Sequence, residues 1–127
     1  MGDYDGVVET SLRLVSLLRS PLEDDPEDFM REELRQLADA IADSLGIDPA
    51  RFGKHVGMYA GQLSAQLDIH PLVWRNGDRI VVRYMLVMGA DEATITETIG
   101  WLPVKTLFTG TPLEAVSEFV TLLDDVL

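Results

Sequence analysis

The chain contains no cysteine. Disulfides, thiolate metal sites and a cysteine nucleophile are therefore excluded. Histidine is scarce: His55 and His70 are the only two, and they show none of the spacing a metal motif such as His-Glu-x-x-His needs. No Gly-x-Ser-x-Gly elbow is present, and no glycine run ends in the Gly-Lys-Ser/Thr of a phosphate loop. No carboxylate pair suited to acid–base chemistry stands out among 22 acids. An enzyme is disfavoured, no catalytic residue is assigned, and no cofactor or metal is expected. Long apolar runs are missing too; none approaches the ~20 residues of a membrane span. The segment "MGDYDGVVETS" lacks the basic region of a secretory signal and the Ser or Thr of a myristoylation site. The expectation is a cytoplasmic protein without a membrane partner.

What is present is acid and apolar residues. Net charge is −12, and 46% of the residues are hydrophobic. Such a length and apolar content fit one folded domain over 1–127. The acidity fits a solubility role, as in a salt-adapted or Arg- and Asp-rich proteome, or else a protein that meets basic partners.

Apolar periodicity predicts an α+β fold with three N-terminal helices, an antiparallel sheet of three to four strands and a C-terminal helix. Residues 4–19 form the first helix, with Tyr4, Val8, Leu12, Val15 and Leu18 inward. Asp25 and Pro26 open the second as N-cap and first residue, and Met30, Leu34, Leu37, Ile41 and Leu45 line it. Gly46 ends it. Asp48 and Pro49 repeat the start signal for a third helix to about Leu67. Residues 1–68 are then a helical half, and 69–127 hold the sheet and last helix. "LVWRNGDRIVVRYMLVM" carries an Asn76-Gly77 hairpin signal, and "ATITETI" is a β-branched strand. Pro103 limits "GWLPVKTLFTG" to an edge strand or loop. Thr111, Pro112 and Glu114 form a capping box opening the last helix.

The hairpin fixes a register in which Arg75 faces Asp78, Trp74 faces Arg79 and Val73 faces Ile80. Ile80, Val82, Tyr84, Leu86 and Met88 share an apolar face that must pack on helices. A four-residue loop at Gly89–Glu92 sets Thr94, Thr96 and Thr98 on the other face, beside Val87, Met85 and Arg83. Glu97 falls on the core face opposite Tyr84. The outer face mixes Arg, Trp and Thr. Arg and Trp are enriched at binding hot spots, although Arg79 on Trp74 also makes an ordinary cation–π pair. The favoured function is non-enzymatic protein binding, as an adaptor, inhibitor or chaperone-like factor, through Trp74, Arg79, Arg83, Thr96 and Thr98.

Two alternatives use the third helix. From Pro49 to Ala90 five bases meet two acids, +3, which leaves −15 elsewhere. "LADAIADSLGIDPARFGKHV" resembles a helix-turn-helix, with Ala42 at the small position, Gly46 in the turn, and Ile47 and Phe52 buried. That resemblance implies a winged-helix-like DNA-binding regulator with Arg51, Lys54 and His55 on the recognition helix and Arg75 and Arg79 on the wing. The other alternative is a small-ligand pocket near His55 and Tyr59.

Gly53, Gly57 and Gly61 recur through the same segment, each costing about 0.8–1 kcal/mol if helical. Continued by Ala65, they read as a small-residue stripe for close packing. A homodimer through that stripe, or through a sheet edge, is a further expectation.

Overall fold

The structure is a computed structural model describing residues 4–20, 26–59 and 62–127. Helix α1 runs Tyr4–Arg19 and α2 runs Pro26–Leu45. Gly46 adopts φ +71° and lets the chain leave α2, a left-handed position that favours glycine. Asp48 does act as an N-cap: its carboxylate accepts the Ala50 N–H at 2.9 Å. The element it caps is only a single 3-10 turn, Pro49–Arg51.

A third N-terminal helix is not formed. Residues 49–67 instead supply that turn and strands β1, Gly53–Tyr59, and β2, Gln62–Ile69. The expected three N-terminal helices are therefore two. The reason is a period of two. Leu63, Ala65, Leu67 and Ile69 are buried while Ser64 and Gln66 between them are half-exposed, the alternation of a strand with one covered face. Gly53 and Gly57, which would weaken a helix, sit on β1. The expected stripe is dissolved: Gly53 and Gly57 lie on a strand, Ala65 lies on the inner face of the next one, and Gly61 falls outside the described residues.

Beyond β2 the chain forms the expected hairpin, β3 Leu72–Arg75 and β4 Asp78–Val81. Asn76 and Gly77 both take positive φ, 52° and 85°, as a tight primed turn requires. The register Arg75↔Asp78, Trp74↔Arg79, Val73↔Ile80 is as expected. The hairpin is nevertheless a separate two-stranded sheet. Val82 breaks the ladder, its N–H bonding Pro71 O at 3.0 Å, and the chain re-enters the main sheet as β5, Arg83–Met88. Strand β6 is Ala93–Thr98, β7 is Lys105–Gly110, and α3 is Pro112–Val126.

The main sheet is fully antiparallel in the order β1-β2-β5-β6-β7. It has five strands, more than the three or four expected, because β1 and β2 read as helix in the sequence. One hydrophobic cluster joins all three helices to the sheet's inner face, with Leu67, Leu86, Met88 and Ile95 meeting Leu37, Ile41 and Phe119. The capping box at α3 is complete. On α1 the inward seam is Val7, Leu14, Val15 and Leu18, while Val8 and Leu12 are exposed, against expectation. Thr10 and Ser11 take inner positions because their hydroxyls bond back to Gly6 O at 2.7 Å and Val7 O at 2.6 Å. Satisfied in this way, small polar residues can be buried at little cost.

Candidate functional site

Strands β2 and β6 run toward one end of the main sheet, and β5 and β7 leave from it. The β3–β4 hairpin and the 99–104 loop therefore share that end. One side of the hairpin, Val73 and Ile80, packs on the core. Its other side is Leu72 across from Val81 and Trp74 across from Arg79. All three apolar members of that ridge are exposed, Trp74 to 69%. The Arg79 guanidinium carbon lies 5.7 Å from the Trp74 ring centre. In the 99–104 loop Trp101 is 96% exposed, with Leu102 and Val104 exposed beside it in sequence. Two residues earlier, Ile99 is the loop's partly buried side chain and packs against the core. Gly100, at φ +53°, turns the chain outward.

Arg75 holds this end together. It sits on the core-facing side of the hairpin, and its guanidinium donates to Glu97 Oε2 at 2.8 Å and to the Tyr84 hydroxyl at 3.3 Å. Glu97 is 7% exposed. Burial alone would raise its carboxyl. The hydrogen bonds from Arg75 and Tyr84 and the charges of Arg75 and Lys105 outweigh burial and hold it below its ordinary value. Burial and the neighbouring Glu97 push the Tyr84 phenol up. Glu97 is thus an anchor for Arg75, held toward its charged form by that pairing. The expected pairing of Glu97 with Tyr84 across the core face is present.

The outer face of the main sheet carries a second arrangement. Arg83↔Thr98, Met85↔Thr96 and Val87↔Thr94 pair as the sequence implied. Ser64 and Gln66 of β2, Gly53, His55 and Gly57 of β1, and Thr106 and Thr109 of β7 extend the same face by register. Asp68 is buried at its margin and accepts from Arg83 Nε at 2.9 Å. His70 Nε2 lies 3.6 Å from the same carboxylate. Gly53, opposite Asp68 in the ladder, is where that carboxylate rests: a Cβ there would collide with Asp68 Oδ1. The hydroxyl of Thr96 is buried in the face without a hydrogen-bond partner.

The expected partner-binding residues thus divide between two surfaces. Trp74 and Arg79 lie on the hairpin ridge, whereas Arg83, Thr96 and Thr98 lie on the main sheet's outer face. The DNA-binding set loses the helix it depended on. Arg51 is in the 3-10 turn, Lys54 and His55 are on β1, and Arg75 is engaged with Glu97. For the ligand set, the pocket between a third helix and the sheet has no such helix. His55 is exposed on β1, and Tyr59 ends that strand. A cleft of about 480 Å³ does lie between α2 and β1, lined by Asp28, Arg31, Glu32, Leu34, Arg35 and Lys54. Its arginines are already paired, Arg31 with Glu27 and Asp28, and Arg35 with Glu32 and Asp39. Among the described residues no group of three His, Asp or Glu side chains could hold a metal, and no helix is long and apolar enough to cross a membrane. No protein-family model, curated protein or solved structure matches the chain.

Trp101, Leu102 and Val104 are not among the residues that sequence reasoning singles out. The available signal is three large apolar residues crowded around Pro103, where no strand could bury them.

Proposed function

We propose that the protein binds another protein through the end of the sheet where the hairpin ridge and the 99–104 loop lie. One observation carries this reading: both tryptophans of the chain, Trp74 and Trp101, are exposed, and both belong to that end. Tryptophan buries a large area in most folds. Exposing two of them together with Leu72, Val81, Leu102 and Val104 leaves an apolar surface of the kind that marks interaction sites. Arg79 adds a cation at its border, so the complementary partner surface is apolar with carboxylates at its rim. The mode is adaptor-like or chaperone-like binding without catalysis.

The test is capture of partners from host extract by the wild-type protein, by Trp74→Ser/Trp101→Ser, and by Glu118→Gln on α3 as control. The double serine variant is expected to lose partners that wild type and control both retain. A partner held equally by all three overturns the assignment of this surface.

A further inference from the structure

The β3–β4 hairpin continues two central strands outward. β2 pairs with β5 through Ile69↔Tyr84, and β3 pairs with β4 from Leu72↔Val81 in the same register. The bond from the Val82 N–H to Pro71 O, 3.0 Å, is the rung between them. Hydrogen-bonded and open pairs alternate along such a ribbon. Pro71 and Val82 form a bonded pair, so Val73↔Ile80 and Arg75↔Asp78 are bonded pairs too. The backbone N–H and C=O of Arg79 and Val81 therefore point out of the hairpin, away from β3. Among the described residues no helix or strand lies along that side. On β5 the same side is taken by β6, as far as Arg83↔Thr98. There the chain leaves: the Leu102 N–H turns back to Ile99 O at 3.0 Å, and Gly100 takes φ +53°. The lane beside β4 is thus vacated, and Trp101 and Leu102 stand where it begins.

We infer, resting on the partner-binding reading of this end, that the partner enters the vacated lane as an added strand and pairs with the backbone of Arg79 and Val81. Strand addition takes its affinity from main-chain hydrogen bonds and its selectivity from alternate side chains. The side chains of β4 specify the segment. Arg79 and Val81 share the exposed ridge, and Ile80 between them faces the core. Arg75 and Arg83 are already paired, with Glu97 and Asp68. Arg79 has no carboxylate partner among the described residues, and it stacks on Trp74. Residues 70–83 carry three arginines against Asp78, +2, which leaves −14 for the remainder of the chain. The partner residue across from Arg79 is therefore an Asp or Glu, since opposite charges attract directly across a ladder and like charges repel. The next two partner residues, across from Ile80 and Val81, are apolar. The occupant is thus an extended segment of another protein with an acid beside two apolar residues. The other free sides of the main sheet suit a strand less. Leu107 is an extra residue in the β7 ladder, between the pairs Ile95↔Phe108 and Thr96↔Thr106, and a bulge blunts an edge. β1 carries Gly53 and Gly57, and glycine weakens a strand.

The experiment selects random peptides about ten residues long, enough to span a strand, from a display library against the whole chain. The binders are expected to share an acid beside two apolar residues. Replacing that acid by lysine in a synthetic binder is expected to weaken its affinity for wild type more than about tenfold, and Arg79→Glu is expected to restore it. Val81→Pro removes an outward N–H without removing a bond between β3 and β4. It is expected to lose more than about tenfold in affinity for every binder, whereas Val81→Thr, which keeps the N–H, stays within about threefold of wild type. Where circular dichroism shows Val81→Pro unfolded, the charge exchange at Arg79 decides alone. A library that yields no binder, binders that lack the acid, no recovery on charge exchange, or equal affinity for wild type and a folded Val81→Pro each overturn the added strand. Trp74→Ser/Trp101→Ser separates the strand from the tryptophan surface. Affinity that falls in this variant but not in Val81→Pro leaves the surface standing and removes the strand. Affinity that falls in Val81→Pro but not in the double serine variant leaves the strand and removes the surface.

Discussion

Arg75 of β3 donates to Glu97 of β6 at 2.8 Å, and that bond joins two separate sheets. The hairpin has only Val73 and Ile80 on the core, so the ion pair fixes where the ridge with Trp74 points. Removing Arg75 leaves a buried carboxylate without its cation. Arg75→Ala is expected to lower stability by about 1–3 kcal/mol, the range for a charge-assisted hydrogen bond with one partly solvated partner. Denaturant unfolding measures it, and an unchanged midpoint contradicts the latch.

The same pair has a pH signature. Glu97 titrates lower in the fold than its ordinary value of 4.5. A depressed carboxyl contributes stability that is fully present above the unfolded value. It is lost as the pH falls from about 4.5 through the lower folded value. Glu97→Gln is therefore expected to be less stable than wild type at pH 7, with the difference shrinking as pH drops below the ordinary carboxylate range. A constant difference from neutral to acid means that Glu97 is not charged in the fold.

Gly53 and Asp68 are coupled by space. The glycine leaves room for the carboxylate that Arg83 holds. Gly53→Ala is expected to cost about 1–2 kcal/mol by displacing that buried group. In an Asp68→Ala background the cost is expected to fall within about 0.5 kcal/mol of zero, giving a coupling energy in the range seen for contacting residues. Equal costs in both backgrounds mean that Gly53 acts through the backbone alone.

Much of the sheet is legible in the sequence because its signals are local. Asn76-Gly77 set the hairpin register, and the Gly89–Glu92 loop sets Met85 against Thr96. Both rest on turn geometry that two to four residues determine. The capping box at Thr111 is equally local. The stretch 49–67 reads as helix because a start signal outweighs a short pattern. Asp48-Pro49 caps a turn whether that turn lasts one residue triplet or five turns of helix. Only the alternation from Leu63 to Ile69 separates the two outcomes. The tryptophan end is half legible. Trp74 falls opposite Arg79 as expected, but whether a hairpin stays in the main sheet depends on Val82 and Pro71, which carry no strong local signal. Trp101 lies in a loop, where no period of two or 3.6 tells which side chains face solvent.

Thr96 offers a test of the outer face that is independent of any partner. Its hydroxyl is buried without a hydrogen bond. An unmade bond costs about 1–3 kcal/mol, and an isosteric apolar replacement recovers part of it. Thr96→Val is expected to raise stability by about 0.5–1.5 kcal/mol, and valine also suits a strand. A loss of stability would mean the hydroxyl has a partner in solution.

The tryptophans report their own surroundings. In Trp101→Ser the only indole left is Trp74, 69% exposed and stacked on one side by Arg79. Acrylamide is uncharged and so unaffected by the net −12. It is expected to quench Trp101, measured in Trp74→Ser, nearly as well in the native protein as in urea. Trp74, measured in Trp101→Ser, is expected to be quenched less than Trp101 because a guanidinium covers one face of the ring. Arg79→Ala is expected to close most of that gap while changing stability by no more than about 0.5–1 kcal/mol, the worth of an exposed cation–π pair. Strong native protection of Trp101 would place it inside the fold or under another chain, and would remove it from the free surface on which partner binding depends.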